Sequence, residues 1–210
     1  MIIQSALPDM SQPPVGQPTR FFGPHYYDRP IAESQSFLAV PSLGALVPGW
    51  LLLVPKGDAR CLAHLTPSEA DELKSFASHM TAKLGSIYGP VVQFEHGATT
   101  SGSATGCGVD QAHLHLVPIA HEAFKASVEE EGRKLDLRWA SGDLPTGSTA
   151  ELDYLWYSVD SEARVSHLSN PVSQFFRRCV ARALGVPELW NYREHPQHAM
   201  VKATIENLAA

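Results

Sequence analysis

Three features are scarce in this 210-residue chain, and each scarcity excludes a class of protein. Its three cysteines are odd in number and have no paired spacing, so neither a disulfide framework nor a zinc knuckle is expected. No run approaches the roughly twenty apolar residues that cross a bilayer, and the first residues lack the basic and apolar blocks of an export signal. We therefore expect a soluble, cytoplasmic protein with no membrane partner.

Positive charge is also scarce. The sequence has 16 Lys and Arg against 22 Asp and Glu, which gives a formal net charge of −6. This balance argues against nucleic acid as a partner and favours small-molecule chemistry. With 44% apolar residues the chain is long enough for one substantial core but short for two enzymatic domains.

Several short apolar runs are typical of β-strands. They cover residues 36–40, 50–54, 90–97, 111–118 and 153–159. The first two are separated by Pro and Gly, which predicts a hairpin or two adjacent strands.

Helical spacing and capping signals predict three helices, over residues 66–84, 170–185 and 198–208. In the first, Thr66 and Glu69 form a capping box, and Gly85 is expected to end the helix. In the second, Asn170 is the expected N-cap. Together these patterns predict an α+β fold in which an antiparallel sheet packs against at least the first helix.

The stretch "GCGVDQAHLHLVP", which ends at Pro118, carries the strongest chemical signal. Since side chains alternate along a strand, Gln111, His113 and His115 are expected to share one face, roughly 6.6 Å apart. A neutral imidazole is a good nucleophile near pH 7. Two alternatives stay open: histidines without chemistry, and a metal site completed by Glu95 or His96.

Gln111, His113 and His115 are here called the histidine row. The loop that precedes the row, "ATTSGSATGCGVD", is rich in Gly, Ser and Thr. Its backbone N–H groups and hydroxyls would suit a phosphate or an oxyanion. The candidate donors are Ser101, Ser103, Gly106, Cys107 and Gly108. A plain flexible connection is the alternative.

The segment "QAHLHLVP" resembles the motif of the histidine triad (HIT) family of nucleotide hydrolases and transferases. That motif is three histidines alternating with apolar residues, and its middle histidine attacks the α-phosphate of a nucleotide. The match places His113 at the nucleophile and His115 at the third histidine, while Gln111 replaces the first. "LVPGWLLLVPK" also resembles the family's Pro-Gly-His, apolar strand, Pro-Lys segment, and the similarity covers about residues 35–118.

The resemblance implies a HIT-like antiparallel sheet with packed helices and a C-terminal extension. It implies hydrolysis of a nucleotide conjugate, such as a dinucleoside polyphosphate or a nucleoside phosphoramidate, through a covalent nucleotidyl-histidine intermediate. Nucleotidyl transfer or phosphorolysis from the same intermediate, and nucleotide binding with weak catalysis, are the alternatives. No metal or other cofactor is required, although a divalent cation could neutralise substrate charge. The resemblance leaves open a homodimer.

The chain departs from the family pattern at three positions. Gln111 cannot titrate, but it can donate and accept hydrogen bonds. Trp50 stands where the family usually has another active-site histidine and offers one N–H donor and a stacking face. Ser42 falls near the position where many members place an Asp or Asn on the ribose hydroxyls.

Four further residues are expected near the substrate. Glu95 would orient His113 and stabilise its charged form, with His96 beside it. Ser173 and Gln174, at the positive end of the second helix, would contact a phosphate.

The sequence also predicts an organisation into four segments. They are a flexible N-terminal arm over residues 1–20, a catalytic core over 21–118, an insertion or lid over 119–150, and a strand with a C-terminal helical extension of the same domain over 151–210. Within the last segment, Arg177 and Arg178 are interpreted as solvated helix charges.

Overall fold

The computed structural model describes residues 30–106, 110–146 and 151–209. Within those ranges the strands form one sheet in which every neighbouring pair is antiparallel. The strands are β1 (Ala32–Glu33), β2 (Phe37–Pro41), β3 (Leu51–Pro55), β4 (Val91–Gly97), β5 (Leu114–Pro118), β6 (Ala140–Ser141), β7 (Tyr154–Val159) and β8 (Glu162–His167). Their order across the sheet is β1-β2-β3-β5-β4-β7-β8-β6. The α+β class and the predicted β2–β3 hairpin are confirmed.

The α-helices of the described residues are α1 (Pro67–Tyr88), α2 (His121–Lys134), α3 (Phe175–Ala183) and α4 (His198–Ala209). The capping box at Thr66 is confirmed, because its hydroxyl accepts from the backbone N–H of Glu69 and the Glu69 carboxylate accepts in return. The predicted end of α1 at Gly85 is wrong. The helix continues to Tyr88, whose ring packs against the core, and it ends at Gly89 with a φ of 91°.

The prediction that Asn170 caps α3 is also wrong. The helix begins at Phe175, after Gln174 in the left-handed conformation with a φ of 52°.

The strand β8 was not predicted from the sequence. A two-residue turn at Asp160 and Ser161, both with positive φ, joins it to β7.

Each face of the sheet covers a separate apolar core. On the α1 face, Leu51 and Leu114 pack with residues of α1 such as Phe76. On the opposite face, here called the α3 face, Val117 packs with residues of α2 and α3 such as Phe176. Because side chains alternate along a strand, neighbouring residues of β4 and β5 belong to different cores.

The C-terminal segment crosses the β2–β3 connection. The backbone N–H of Gly44 donates to the carbonyl of Pro196 at 2.8 Å, and that of Gly49 donates to the hydroxyl of Thr204 in α4 at 2.8 Å. The chain beyond α3 therefore covers one end of the sheet, next to β2 and β3.

The predicted division of the chain into four segments stays a prediction. The arm over residues 1–20 lies outside the described residues. In the segment 119–150, α2 packs against α3 and contributes Phe124 and Val128 to the core of the α3 face. No helix in the described part of the chain is both long and apolar enough to span a membrane.

Candidate active site

His113 has a fixed tautomer. Its Nδ1 lies 2.8 Å from the carbonyl oxygen of Gln111, and a carbonyl only accepts hydrogen bonds, so Nδ1 carries the proton. Burial lowers the pKa of His113 below its usual 6.5; the hydrogen bond to Gln111 opposes this effect and the positive charge of Arg177 adds to it. The imidazole is therefore neutral at pH 7, with a lone pair on Nε2 that can act as a nucleophile.

His115 is oriented by Trp50. The indole Nε1 donates to Nδ1 of His115 at 3.0 Å, which leaves the imidazole proton on Nε2. The ring of Phe94 stacks on His115 with a centroid separation of 4.4 Å. Burial lowers the pKa of His115 well below its usual value. Since the His113 and His115 centroids are 4.9 Å apart, a neutral nucleophile and an N–H donor lie side by side.

His96 lies beside these two residues, with its ring centroid 5.9 Å from that of His115. The backbone N–H of Phe176 donates to its Nε2 at 3.1 Å, so Nδ1 carries the proton. This Nδ1 is buried and has no acceptor among the described residues. Burial lowers the pKa of His96 well below its usual value, so the ring is neutral.

A cavity of about 190 Å³ opens next to the histidines. The described residues that line it are Ser42, Leu43, Leu52, His113, His115, Arg177 and Tyr192. None of these side chains is acidic, and most of the wall is aliphatic or aromatic. An apolar cavity with a few converging polar groups is typical of a ligand site.

Arg177 is buried, with 3% of its surface exposed, so its interpretation as a solvated charge is wrong. Its guanidinium lies over Trp50, 4.7 Å from the ring centroid. It donates to the carbonyls of Gly44 and Trp190 and, at 3.4 Å, to the hydroxyl of Ser42. The indole N–H and one ring face of Trp50 are thus engaged by His115 and Arg177. Ser42 lies in the cavity wall, and its expected role at the ribose hydroxyls stays a prediction.

Sequence reasoning missed Arg177 and Tyr192 as members of the site. A weak signal for the arginine was available in the sequence, because Arg177 lies three and four positions before the apolar residues Val180 and Ala181 and so shares a helix face with them. The neighbouring Arg178 is only half-buried. No local pattern indicates Tyr192.

The structure does not keep the side chain of Gln111 in the histidine row. β5 begins at Leu114, so the strand alternation does not extend back to Gln111. Its amide donates instead to the carbonyls of Pro55 and Gly57, at 3.0 and 2.8 Å. The residue contributes to the site through its backbone carbonyl, which holds His113.

The predicted contact between Glu95 and His113 is wrong. Strand alternation places Glu95 on the α1 face, whereas its neighbour His96 is on the α3 face. Both carboxylate oxygens are engaged there, since Leu62 donates its backbone N–H at 2.7 Å and Tyr154 its hydroxyl at 2.5 Å. Burial raises the pKa of Glu95 to about 7.

The two candidate serines of the glycine-rich loop donate to carboxylates. The hydroxyl of Ser101 donates to Asp110 at 2.5 Å, and that of Ser103 donates to Asp153. The hydrogen bond from Ser101 lowers the pKa of Asp110. Burial opposes the same effect at Asp153, but its hydrogen bonds keep the pKa below the usual value. These hydroxyls stabilise the loop and are not presented to an anion.

The remaining candidates lie in the glycine-rich loop and just before α3. Gly106 is buried, while Cys107 and Gly108 lie outside the described residues. Ser173 is exposed and precedes the helix. Gln174 is buried at the N-cap of α3, and its side-chain oxygen has no partner among the described residues.

Metal binding was one of the two open alternatives for the histidine row. Within the described ranges no group of three or more His, Cys, Asp or Glu side chains is arranged to hold an ion. The expectation that no cofactor is required stays a prediction.

No protein-family model and no curated protein matches the sequence. Among solved structures, the chain is similar to the crystal structure of a Hit-like protein involved in cell-cycle regulation from Bartonella henselae, which contains an unknown ligand. The two share 15% identity and a TM-score of 0.38, and the match covers 42% of this chain and 65% of that one. At this level of similarity the match does not establish the family or the activity.

Proposed function

We propose that this chain hydrolyses a nucleotide conjugate at the α-phosphate through a covalent intermediate on His113. The hydrogen bond from Nδ1 of His113 to the carbonyl of Gln111 is the observation that carries the proposal, because it leaves Nε2 unprotonated. The resemblance of "QAHLHLVP" to the histidine triad motif supports the same assignment.

The reaction has two steps. Nε2 of His113 attacks the α-phosphorus, so an N–P bond forms while the bond from phosphorus to the leaving group breaks, and the leaving group departs with the electron pair and is protonated. Water then attacks the same phosphorus and breaks the N–P bond. A nucleoside monophosphate is released, one proton of the water is given up, and His113 returns to its neutral form.

Of the two histidines next to His113, we expect His115 to stabilise the phosphoryl oxygens. His115 has its proton on Nε2, because Trp50 occupies Nδ1. His96 has its proton on Nδ1, where no acceptor lies among the described residues. A phosphoryl oxygen in the cavity would accept from Nε2 of His115, which would disperse the charge that develops in the transition state, whereas His96 is not among the described residues that line the cavity.

The size of the cavity bears on the substrate. Its volume of about 190 Å³ is below the roughly 300–1,000 Å³ of pockets that enclose a drug-sized ligand. The cavity would therefore enclose only part of a conjugate and leave the rest in solvent. Such a geometry suits a leaving group of variable size and gives water access to the intermediate.

The test is turnover of diadenosine tetraphosphate and of adenosine 5′-phosphoramidate, followed as release of AMP. We expect His113→Asn to lower kcat by on the order of a thousandfold, since the attacking atom is removed. His79→Asn, a change to an exposed residue of α1, is the matched control and should leave kcat unaltered. Activity of His113→Asn within about tenfold of wild type would contradict the nucleophilic role.

A further inference from the structure

The three clustered imidazoles differ in what their bonded nitrogen does. Nδ1 of His115 accepts the indole N–H of Trp50 at 3.0 Å, and Nε2 of His96 accepts the backbone N–H of Phe176 at 3.1 Å. Indole and amide N–H groups only donate, so both bonds require a lone pair on the imidazole. Protonating that nitrogen in either ring would break a buried hydrogen bond.

His113 is different because its bonded nitrogen is the donor. Nδ1 donates to the carbonyl of Gln111 at 2.8 Å, which leaves the lone pair on Nε2 of a side chain that lines the cavity. A proton added at Nε2 keeps this hydrogen bond and strengthens it, since an imidazolium is the better donor. Of the three imidazoles, His113 is therefore the one that can gain a proton without losing one of these bonds.

The groups around His113 disfavour its charged form. Burial lowers its pKa below the usual 6.5, the hydrogen bond to Gln111 opposes this effect, and the positive charge of Arg177 adds to it. The titratable and charged side chains of the described residues that face it are His115 of β5, His96 of β4, Arg177 of α3 and Tyr192 in the cavity wall. None of them is a carboxylate, and Glu95 of β4 lies on the α1 face.

A phosphate changes this balance. A negative charge next to an imidazole favours the imidazolium, and more strongly where little water screens it. The proposed function, on which this step rests, puts the phosphate of a nucleoside monophosphate against Nε2 of His113. We infer that Nε2 of His113 takes up one proton when this ligand binds, and that imidazolium and phosphate form an ion pair joined by a charge-assisted hydrogen bond.

The second step of the reaction supplies the same proton. Water attacks the phosphorus, the N–P bond breaks with its electron pair returning to Nε2, and Nε2 accepts the proton that the water gives up. The complex of imidazolium and monophosphate is thus the product complex, and the proton leaves when the product leaves. A protonated Nε2 has no lone pair for the next attack, so the product inhibits more strongly as the pH falls.

The coupling gives the affinity a defined pH dependence. Binding raises the pKa of His113 above its lowered ligand-free value, so the proton is taken up at pH values between the two. In that window the dissociation constant falls by up to about tenfold for each unit that the pH falls. Below the ligand-free pKa His113 is already protonated, and the affinity no longer depends on this group.

The test is calorimetric titration of wild type with adenosine 5′-sulfate. Its sulfate keeps one negative charge throughout the range used, so a proton taken up with it goes to the protein. Titrations at about pH 6.5 in two buffers of different ionisation enthalpy give the number of protons taken up per ligand. We expect about 0.5 to 1 in wild type, and at least about a threefold fall in the dissociation constant between about pH 8 and about pH 6.

Two variants and one spectrum locate the proton. His113→Asn should take up fewer than about 0.1 protons per ligand, because the accepting nitrogen is gone. His79→Asn changes an exposed histidine of α1 and should keep the wild-type value. Nitrogen NMR of wild type needs no variant, since the Nε2 resonance of His113 should move from the unprotonated to the protonated position when AMP is added at about pH 6.5. This spectrum decides if His113→Asn does not fold or does not bind.

The failure of this inference differs from that of the proposed function. Proton uptake of wild-type size in His113→Asn puts the proton on another group and overturns the inference. An unprotonated Nε2 in the AMP complex does the same, and both results leave a covalent intermediate on His113 intact. A wild-type protein that binds neither AMP nor GMP overturns the inference and the proposed nucleotide chemistry together.

Discussion

The two faces of the sheet both bury ionisable groups, but they use them differently. On the α1 face, Glu95 is 1% exposed and each carboxylate oxygen accepts a hydrogen bond, from Leu62 and from Tyr154. On the α3 face, His96 is also buried, yet its Nδ1 has no acceptor among the described residues. The α3 face also has a cavity next to its histidines, lined in part by a buried arginine.

Burial and a shifted pKa therefore do not by themselves distinguish a structural group from a reactive one. The pKa of Glu95 is raised to about 7 and that of His113 is lowered, so both depart from their usual values. What separates them is the use of their hydrogen-bonding capacity. Both carboxylate oxygens of Glu95 have hydrogen-bond partners within the fold. By contrast, His113 keeps a lone pair on Nε2 and His115 keeps an N–H on Nε2 that a ligand could use.

The largest effect we expect is on stability, at Glu95. Glu95→Ala leaves the backbone N–H of Leu62 and the hydroxyl of Tyr154 buried without an acceptor, which should lower the free energy of unfolding by about 3 kcal/mol or more. His113→Ala should lower it by no more than about 1 kcal/mol. Urea unfolding of both variants measures the difference. A larger loss of stability in His113→Ala than in Glu95→Ala would contradict the structural role that we give to Glu95 on the α1 face.

The pH dependence of stability sharpens the same comparison. The pKa of Glu95 rises from an ordinary 4.5 to about 7 on folding, so the folded state binds its proton more tightly. This contribution to stability is complete below about pH 4.5 and is lost as the pH rises through about 7. Between those values the stability of wild type relative to Glu95→Gln should fall by on the order of 3 kcal/mol. A pH-independent difference between the two proteins would refute the raised pKa.

A smaller effect is expected at Trp50. Trp50→Phe keeps an aromatic ring beside Arg177 but removes the N–H that donates to Nδ1 of His115. The proton of His115 is then no longer confined to Nε2, and kcat should fall by about ten- to thirtyfold. Nitrogen NMR of the imidazole should report the Nε2-protonated tautomer in wild type and a mixture in the variant. The same single tautomer of His115 in both proteins would show that Trp50 does not fix the position of its proton.

The smallest effect is expected at Gln111. Gln111→Ala keeps the carbonyl that holds His113 but loses both amide bonds to Pro55 and Gly57. Activity should fall by about three- to tenfold through looser positioning, with little change in nucleotide affinity. A loss of a hundredfold or more would indicate that the side chain acts directly on the substrate.

Much of the fold was predictable because its signals are local. The capping box at Thr66 depends on four residues, and the β2–β3 hairpin depends on two apolar runs with Pro and Gly between them. The prediction failed where tertiary contacts decide. α1 continues past Gly85 because Tyr88 packs on the core, which outweighs the modest cost of glycine in a helix.

The start of α3 shows the same limit. A cap at Asn170 is a good local signal, but the backbone N–H of Phe176 is bound by His96, 80 positions away in the chain. β8 was missed for a local reason, because its turn has Ser161 at positive φ after Asp160, where Gly is the usual signal.

The candidate site was predictable only in part. Alternation holds along β5 and at His113, the residue just before it, but it fails at Gln111, three residues before the strand, whose side chain bonds to Pro55 and Gly57. The same rule, applied to β4, separates Glu95 from His96 and would have excluded Glu95 from the row. Nothing in the local sequence indicates that Arg177 meets Gly44, since this contact joins segments 133 positions apart.

The most direct test of the central claim is to locate the covalent intermediate. Wild type mixed with diadenosine tetraphosphate and quenched in alkali, where phosphohistidine survives, should carry an adenylyl group, and peptide mass spectrometry should place it on His113. The account predicts this adduct in wild type and in Glu95→Gln, and its loss in His113→Asn. An adduct on His96 or His115, or steady turnover with no adduct on any histidine, would contradict it.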